Sequence, residues 1–251
     1  MGRMPADLVV RSAGFAPVKG MRHRPVPRLE LDERGALGDR AWCLVDVGAR
    51  RVLRTVQHPS LMGVVATVDG GSLALTLPDG SSVDGLPEAS GETVSCDYWG
   101  RSVPLALTEG PHASLVSRFL GTDVRLAAAP RGGVVFGDPV TLVGTASLDD
   151  LAERLGRPVE AARFRATLVV ETDEPYVEDT WLGTEVGVGG ARLRVGVPVP
   201  RCAVIDHDPG TGEKDLRLLK ALVGSRPTNA VGEPALGVYA ACVRPGVVAP
   251  A

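Results

Sequence analysis

The chain predicts a mainly β fold with added helices (α+β). Two observations carry this. Apolar residues alternate with period two in short runs bounded by Gly, Pro, Asp and Ser, while helical periodicity is confined to three short segments. A third observation removes the obvious alternative, because no Gly-x-Gly-x-x-Gly follows a strand and no Gly-x-x-x-x-Gly-Lys-[Ser/Thr] occurs. A doubly wound nucleotide-binding sheet is not expected.

Extended segments are expected at Leu8 to Arg11, Trp42 to Val47, Met62 to Val68, Thr167 to Glu171 and Gly237 to Val243, where β-branched and apolar residues gather. Leu73, Leu75 and Leu77 alternate before Pro78-Asp79-Gly80-Ser81, which predicts a hairpin. Val186 and Val188 mirror Ala191, Leu193, Val195 and Val197 across Gly189-Gly190, a second hairpin. Of the helices, His112 to Leu120 aligns Leu115, Val116, Phe119 and Leu120 and stops at Gly121. Ser147-Leu148-Asp149-Asp150 reads as a capping box with Ser147 at the N-cap of a helix that ends at Gly156. Leu216, Leu219 and Leu222 predict a third helix over Asp215 to Leu222. Ala127-Ala128-Ala129-Pro130-Arg131-Gly132-Gly133 reads as a linker, so the chain is divided into residues 1–125 and 126–251.

The chain has 251 residues, 44% hydrophobic and 23% charged, with a net charge of -3, which describes a globular protein without the basic surplus of a nucleic-acid binder. No run approaches a membrane span and the N-terminus has no apolar signal core, so a cytoplasmic protein is expected. Cys43, Cys96, Cys202 and Cys242 lie far apart and form no C-x-x-C pair, so neither a zinc site nor a redox dithiol is expected. Lys19, Arg22, His23, Arg24 and Arg28, followed by Arg50, Arg51 and Arg54, form either a solvated face or a pocket for a small anion.

One of the four cysteines stands out, because Arg201 directly precedes Cys202 and a guanidinium favours the thiolate. Cys202 is therefore either a nucleophile or soft metal ligand, or a small packed residue. Pro198 and Pro200 lack the N–H that ladder pairing needs, which places Cys202 where a loop feeds a strand. Asp206 and His207 follow as a candidate proton-handling pair, or simply a polar turn before Asp208-Pro209-Gly210.

Pro17-Val18-Lys19-Gly20, Gly38-Asp39-Arg40, Ala146-Ser147-Leu148, Arg163-Phe164-Arg165 and Arg201-Cys202 follow one another along the chain. In this order they resemble the MOSC family, named for the C-terminal domain of molybdenum cofactor sulfurase, in the form found in amidoxime-reducing components. Glu178-Asp179-Thr180-Trp181, Asp208-Pro209-Gly210-Thr211-Gly212 and Gly237-Val238-Tyr239-Ala240 extend the resemblance over nearly the whole chain. The resemblance implies an N-terminal β-barrel-like domain over 1–125 and a MOSC β-barrel, similar to the pyruvate kinase barrel, over 126–251. It also implies a molybdenum cofactor, a pyranopterin phosphate whose dithiolene binds molybdenum, with Cys202 completing the coordination. Pyridoxal phosphate binding comes with the family as a further association.

By the same resemblance Lys19 and Arg40 meet the phosphate end of the cofactor, and Arg165 and Arg201 hold it from the second half. Gly20, Asp138, Ser147 and Thr167 fall at further cofactor-contact positions. For Ser147 a helix cap is the competing role, for Arg40 a local pair with Asp39, and for Arg163 a surface position. Three positions depart from the family pattern: Thr167 replaces an asparagine, and Pro200 and Gly20 each replace a serine. The implied activity is reduction of N-hydroxylated substrates, with an external electron-donor protein because no flavin, haem or iron–sulfur motif is present. The alternatives are a sulfur carrier using a Cys202 persulfide and a non-catalytic binder of the cofactor or another anionic ligand.

Overall fold

Alternation along Trp42–Asp46 shows how the two faces of one strand build two cores. Cys43 and Val45 point into one apolar cluster with Val94, Cys96, Leu105 and Leu107, while Leu44 joins another with Leu61, Leu73, Leu75, Leu115 and Leu126. Full burial of each such Val or Leu is worth roughly 1.5–3 kcal/mol. A computed structural model describes residues 7–251 and is mostly β. Five strands close a barrel, in the order Glu88–Tyr98, Arg101–Glu109, Arg125–Ala128, Trp42–Asp46, Arg51–Val52. Beside it, Val65–Asp69, Ser72–Thr76 and Ser82–Gly85 form an antiparallel meander that includes the expected Leu73 hairpin.

The second body is an eight-stranded sheet. The Gly189-Gly190 hairpin contributes Glu185–Val188 and Ala191–Pro200, followed by Ala235–Arg244, Val140–Gly144 and Leu168–Val170. The chain's opening segment completes it. Val10–Phe15 pairs antiparallel with Leu168–Val170 and with Arg24–Pro25, and Asp7–Leu8 pairs parallel with Glu185–Val188. Gly246–Val248 pairs with Leu29–Asp32, and Leu29, Leu31 and Val248 pack into the same core as the large sheet. The boundary expected after residue 125 falls inside barrel strand Arg125–Ala128, and the seam between barrel and large sheet carries the candidate site.

Three helices lie on these sheets. α1 is Pro111–Leu120, with Pro111 in its first turn and Gly121 in the left-handed C-cap conformation at φ 67°. α2 is Thr145–Leu155, ending at Gly156, and its N-cap is Gly144, not Ser147. The capping box fails because strand Val140–Gly144 runs straight into the helix and Thr172 serves its first turn, accepting from the Ala146 amide at 3.1 Å. α3 is Leu218–Val223, starting later than expected because Asp215 is drawn to Arg163 and the Asp206 carboxylate accepts from the Leu219 amide at 2.8 Å. The strand expected from Met62 begins at Val65, since Pro59–Gly63 forms a 3-10 turn. None of the helices among the described residues is long and apolar enough to cross a membrane.

Candidate functional site

Pro198 and Pro200 do not keep Cys202 out of the sheet's last turn; they end the strand before it. Ala191–Pro200 tolerates both prolines because its register against Ala235–Arg244 shifts between Val195 and Pro198 and again between Pro198 and Pro200. Cys202 therefore stands where a strand feeds a 3-10 turn, Ala203–Asp206, the reverse of the expected order. Of the four cysteines Cys202 alone is exposed. Burial pushes the Cys43 thiol up to about 12 and raises Cys96 and Cys242 as well, which leaves them poor nucleophiles.

Cys202 opens into a cavity of about 450 Å³ on the seam between the barrel and the large sheet. Two of its bases arrive together by backbone pairing. The Lys19 amide donates to the Trp42 carbonyl at 2.8 Å and the Arg40 amide to the Ala16 carbonyl at 2.8 Å, so segment 16–19 runs alongside segment 40–42. Arg40 and Arg165 both adopt left-handed backbone, at φ 47° and 51°, a conformation uncommon for non-glycine residues. Arg201 donates through Nε to the Leu236 carbonyl at 2.8 Å and through Nη1 to the Phe164 carbonyl at 2.9 Å. Its Nη2 is buried with no hydrogen-bond partner among the described residues.

The bases in this cavity differ in what neutralises them. Arg40 pairs with Asp39, and Arg54 with Asp97 at 3.4 Å. Arg163, for which a surface position was one of two readings, is buried and held by both Asp215 oxygens at 2.7 Å each, with Glu160 at 2.5 Å. Lys19, Arg165 and Arg201 have no ion-pair partner among the described residues. Burial, then the repulsion of Arg40 and Arg165, draws the Lys19 ammonium down to about 7. Burial draws Arg165 and Arg201 down to about 10, Arg40 adding to the effect on Arg165. Three cationic side chains thus face one cavity with no ion-paired counter-charge among the described residues.

The sequence profile of the MOSC domain matches residues 118–250. The chain belongs to the MOSC domain family. The profile of the MOSC N-terminal beta barrel domain matches residues 9–123. Mitochondrial amidoxime-reducing component 1 of Xenopus laevis is 28% identical over 229 residues, covering 78% of this chain, which spans 64% of that protein's length. Its counterpart from Homo sapiens is 26% identical over 269 residues, covering 92% of this chain and 78% of its own. Molybdenum cofactor sulfurase of Caenorhabditis elegans is 28% identical over 215 residues, covering 82% of this chain and 30% of its own.

In this MOSC chain, Lys19, Arg40, Asp138, Arg165, Thr167, Arg201 and Cys202 all line the one cavity. The Thr167 hydroxyl there accepts from the Thr141 amide at 3.1 Å, while the Thr141 hydroxyl accepts from the Thr167 amide at 2.9 Å, so Thr167 also ties two strands together. Gly20 and Ser147 are not on the wall. Gly20 is buried, and a Cβ there would lie 3.4 Å from the Thr55 hydroxyl. The buried Ser147 hydroxyl donates to the Glu178 carboxylate, 2.8 and 3.0 Å from its two oxygens, and accepts from the Tyr176 amide at 2.8 Å.

Asp206 and His207 resolve as a structural turn. The Asp206 carboxylate serves α3, with Lys214 at 3.4 Å, and His207 Nδ1 lies 2.8 Å from the Gly212 carbonyl. Gly212 has no alternative, because at φ 79° a Cβ would meet the Pro59 carbonyl at 2.1 Å. Arg22 completes this seam by donating to the carbonyls of Met62 at 3.3 Å, Gly63 at 3.2 Å and Gly210.

The rim contains residues that the sequence did not single out. Trp99 sits at the Trp99-Gly100 hairpin tip with left-handed φ 54°, stacks edge-on against Phe136 at 5.2 Å and lies 4.1 Å from the Arg54 guanidinium. The two-residue turn was the available signal, but nothing local says that it faces a cavity.

Proposed function

We propose that the protein is a molybdenum-cofactor-dependent reductase that removes oxygen from N-hydroxylated small molecules, with electrons from a separate donor protein. The observation that carries this reading is the exposed Cys202 thiol on the wall of a cavity whose Lys19, Arg165 and Arg201 have no ion-pair partner among the described residues. A pyranopterin phosphate fits this donor set. Its anionic end suits the unpaired cations, and a buried guanidinium nitrogen already lacks an acceptor.

When bound, the cofactor supplies a two-electron centre that can take up the substrate oxygen. Cys202 would hold the metal through its soft sulfur, and Lys19, Arg40, Arg165 and Arg201 would hold the phosphate and the polar edge of the pterin. An anion beside Lys19 would restore its positive charge, reversing the repulsion from Arg40 and Arg165. The reaction balances as R–NHOH with two electrons and two protons giving R–NH2 and water, the N–O bond breaking. Trp99 and Phe136, packed edge-on at 5.2 Å, supply an apolar part of the cavity wall.

Exposure of the thiol, together with the similarity to a protein named as a sulfurase, also supports a second reading in which Cys202 carries a persulfide. Hydroxylamine reduction with reduced methyl viologen, using protein made in a host that synthesises the cofactor, separates the two. Turnover by the wild type that disappears in Cys202→Ser supports the reductase. A cofactor-loaded protein without turnover, or turnover undiminished in the variant, refutes it.

A further inference from the structure

A second cleft of about 580 Å³ opens beside the first and shares Phe136, Asp138, Pro200, Asn229, Glu233 and Tyr239 with it. The two spaces differ in charge. The first carries six basic side chains beside the two shared acids, whereas among the described residues the only charged ones on the second are Asp138 and Glu233. The rest of its wall is chiefly apolar, from Val197, Pro198, Pro227 and Ala235.

Both carboxylates stand where the clefts join, and neither is in an ion pair among the described residues. Asp138 packs against backbone, since a Cβ on Gly196 would lie 2.6 Å from its Oδ2. Glu233 is fixed on a tight turn: its amide donates to Asn229 Oδ1 at 2.9 Å, and the Asn229 side-chain amide donates to its carboxylate at 2.9 Å. Phe136 and Val197 on its wall are 51% and 65% exposed, apolar surface that a ligand in the cleft would cover.

We propose that this cleft binds the body of the substrate and selects apolar molecules that carry a positive charge. An apolar ring would cover Phe136 and Val197, a cationic group would meet Asp138 and Glu233, and the basic cluster beyond would stop that group at the junction. The role as a substrate cleft rests on the reductase reading, because it depends on chemistry at Cys202. The charge selectivity does not.

The test is calorimetric titration of the full chain, with and without bound cofactor, using benzamidine and its neutral isostere benzamide. Benzamidine should bind roughly tenfold tighter, the factor of one charged hydrogen-bond partner. Glu233→Gln should remove most of that difference, and Val197→Lys, at an exposed position, should weaken benzamidine selectively. Equal binding of the two compounds, no binding of either, or a preference untouched by both variants would overturn the assignment. Hydroxylamine is too small to need the cleft, so its reduction by loaded wild type reports on the reductase reading separately.

Discussion

Arg201 donates Nη1–H to the Phe164 carbonyl at 2.9 Å and lies 5.3 Å from the Phe164 ring. The bond fixes the residue before Cys202 to the residue before Arg165, so two of the unpaired cations are positioned as one unit. Arg201→Lys keeps the charge but loses the fork that reaches two carbonyls and still leaves one nitrogen for a ligand. Cofactor retention after gel filtration should fall by roughly tenfold or more, the weight of a charged hydrogen bond. Retention equal to wild type would refute the role of Nη2.

Lys19 should trade stability for binding. Its folded pKa of about 7 lies below its ordinary 10.5, so the unfolded chain holds the extra proton across that interval. Stability of the cofactor-free protein should therefore rise with pH from about 7 toward 10.5. Lys19→Met should flatten this rise and raise the cofactor-free Tm at pH 7, while lowering cofactor retention. Thermal unfolding across pH, wild type against variant, reads the difference.

His23 acts on the acid side. Burial, followed by Arg165 and Arg40, lowers its pKa from 6.5 to about 3, and its Nε2 is buried without a partner. The unfolded state binds the proton first, so stability is full above pH 6.5 and declines as pH falls toward 3. His23→Gln should remove that part of the acid sensitivity in denaturant titrations at pH 7 and pH 4. An unchanged pH dependence would count against the buried neutral imidazole.

Much of the site was legible because its residues form short local patterns: Lys19, Asp39-Arg40, Arg165 and Arg201-Cys202 all come to the same seam. Both hairpins and the first two helices also follow from local periodicity and glycine stops. What escaped depended on distant partners. Ser147 looked like a cap, but Glu178, far along the chain, takes its hydroxyl. The two prolines before Cys202 suggested a loop, but sheet bulges accommodate them. The entry of Val10–Phe15 into the large sheet and the stacking of Trp99 on Phe136 are likewise set by tertiary pairing, which carries no local signature.

Arg163 and Asp215 make a structural clamp. Asp215 is held below the usual carboxylate range by its hydrogen bonds to Arg163, so this stabilisation is present above the unfolded pKa and fades as pH falls through the folded one. Asp215→Ala leaves a guanidinium with 1% side-chain exposure and only Glu160 beside it. A loss of about 2–3 kcal/mol in urea unfolding is expected at neutral pH, below the full buried-pair value because Asp215 is partly exposed.

The most direct measurement is the molybdenum and pterin content of wild type and Cys202→Ser, both purified from a host that makes the cofactor. Stoichiometric molybdenum in the wild type, lost in the variant, is the predicted result. Wild-type protein free of metal and carrying a labile persulfide, or a variant that keeps its molybdenum, would contradict the assignment of Cys202 as the metal's protein ligand.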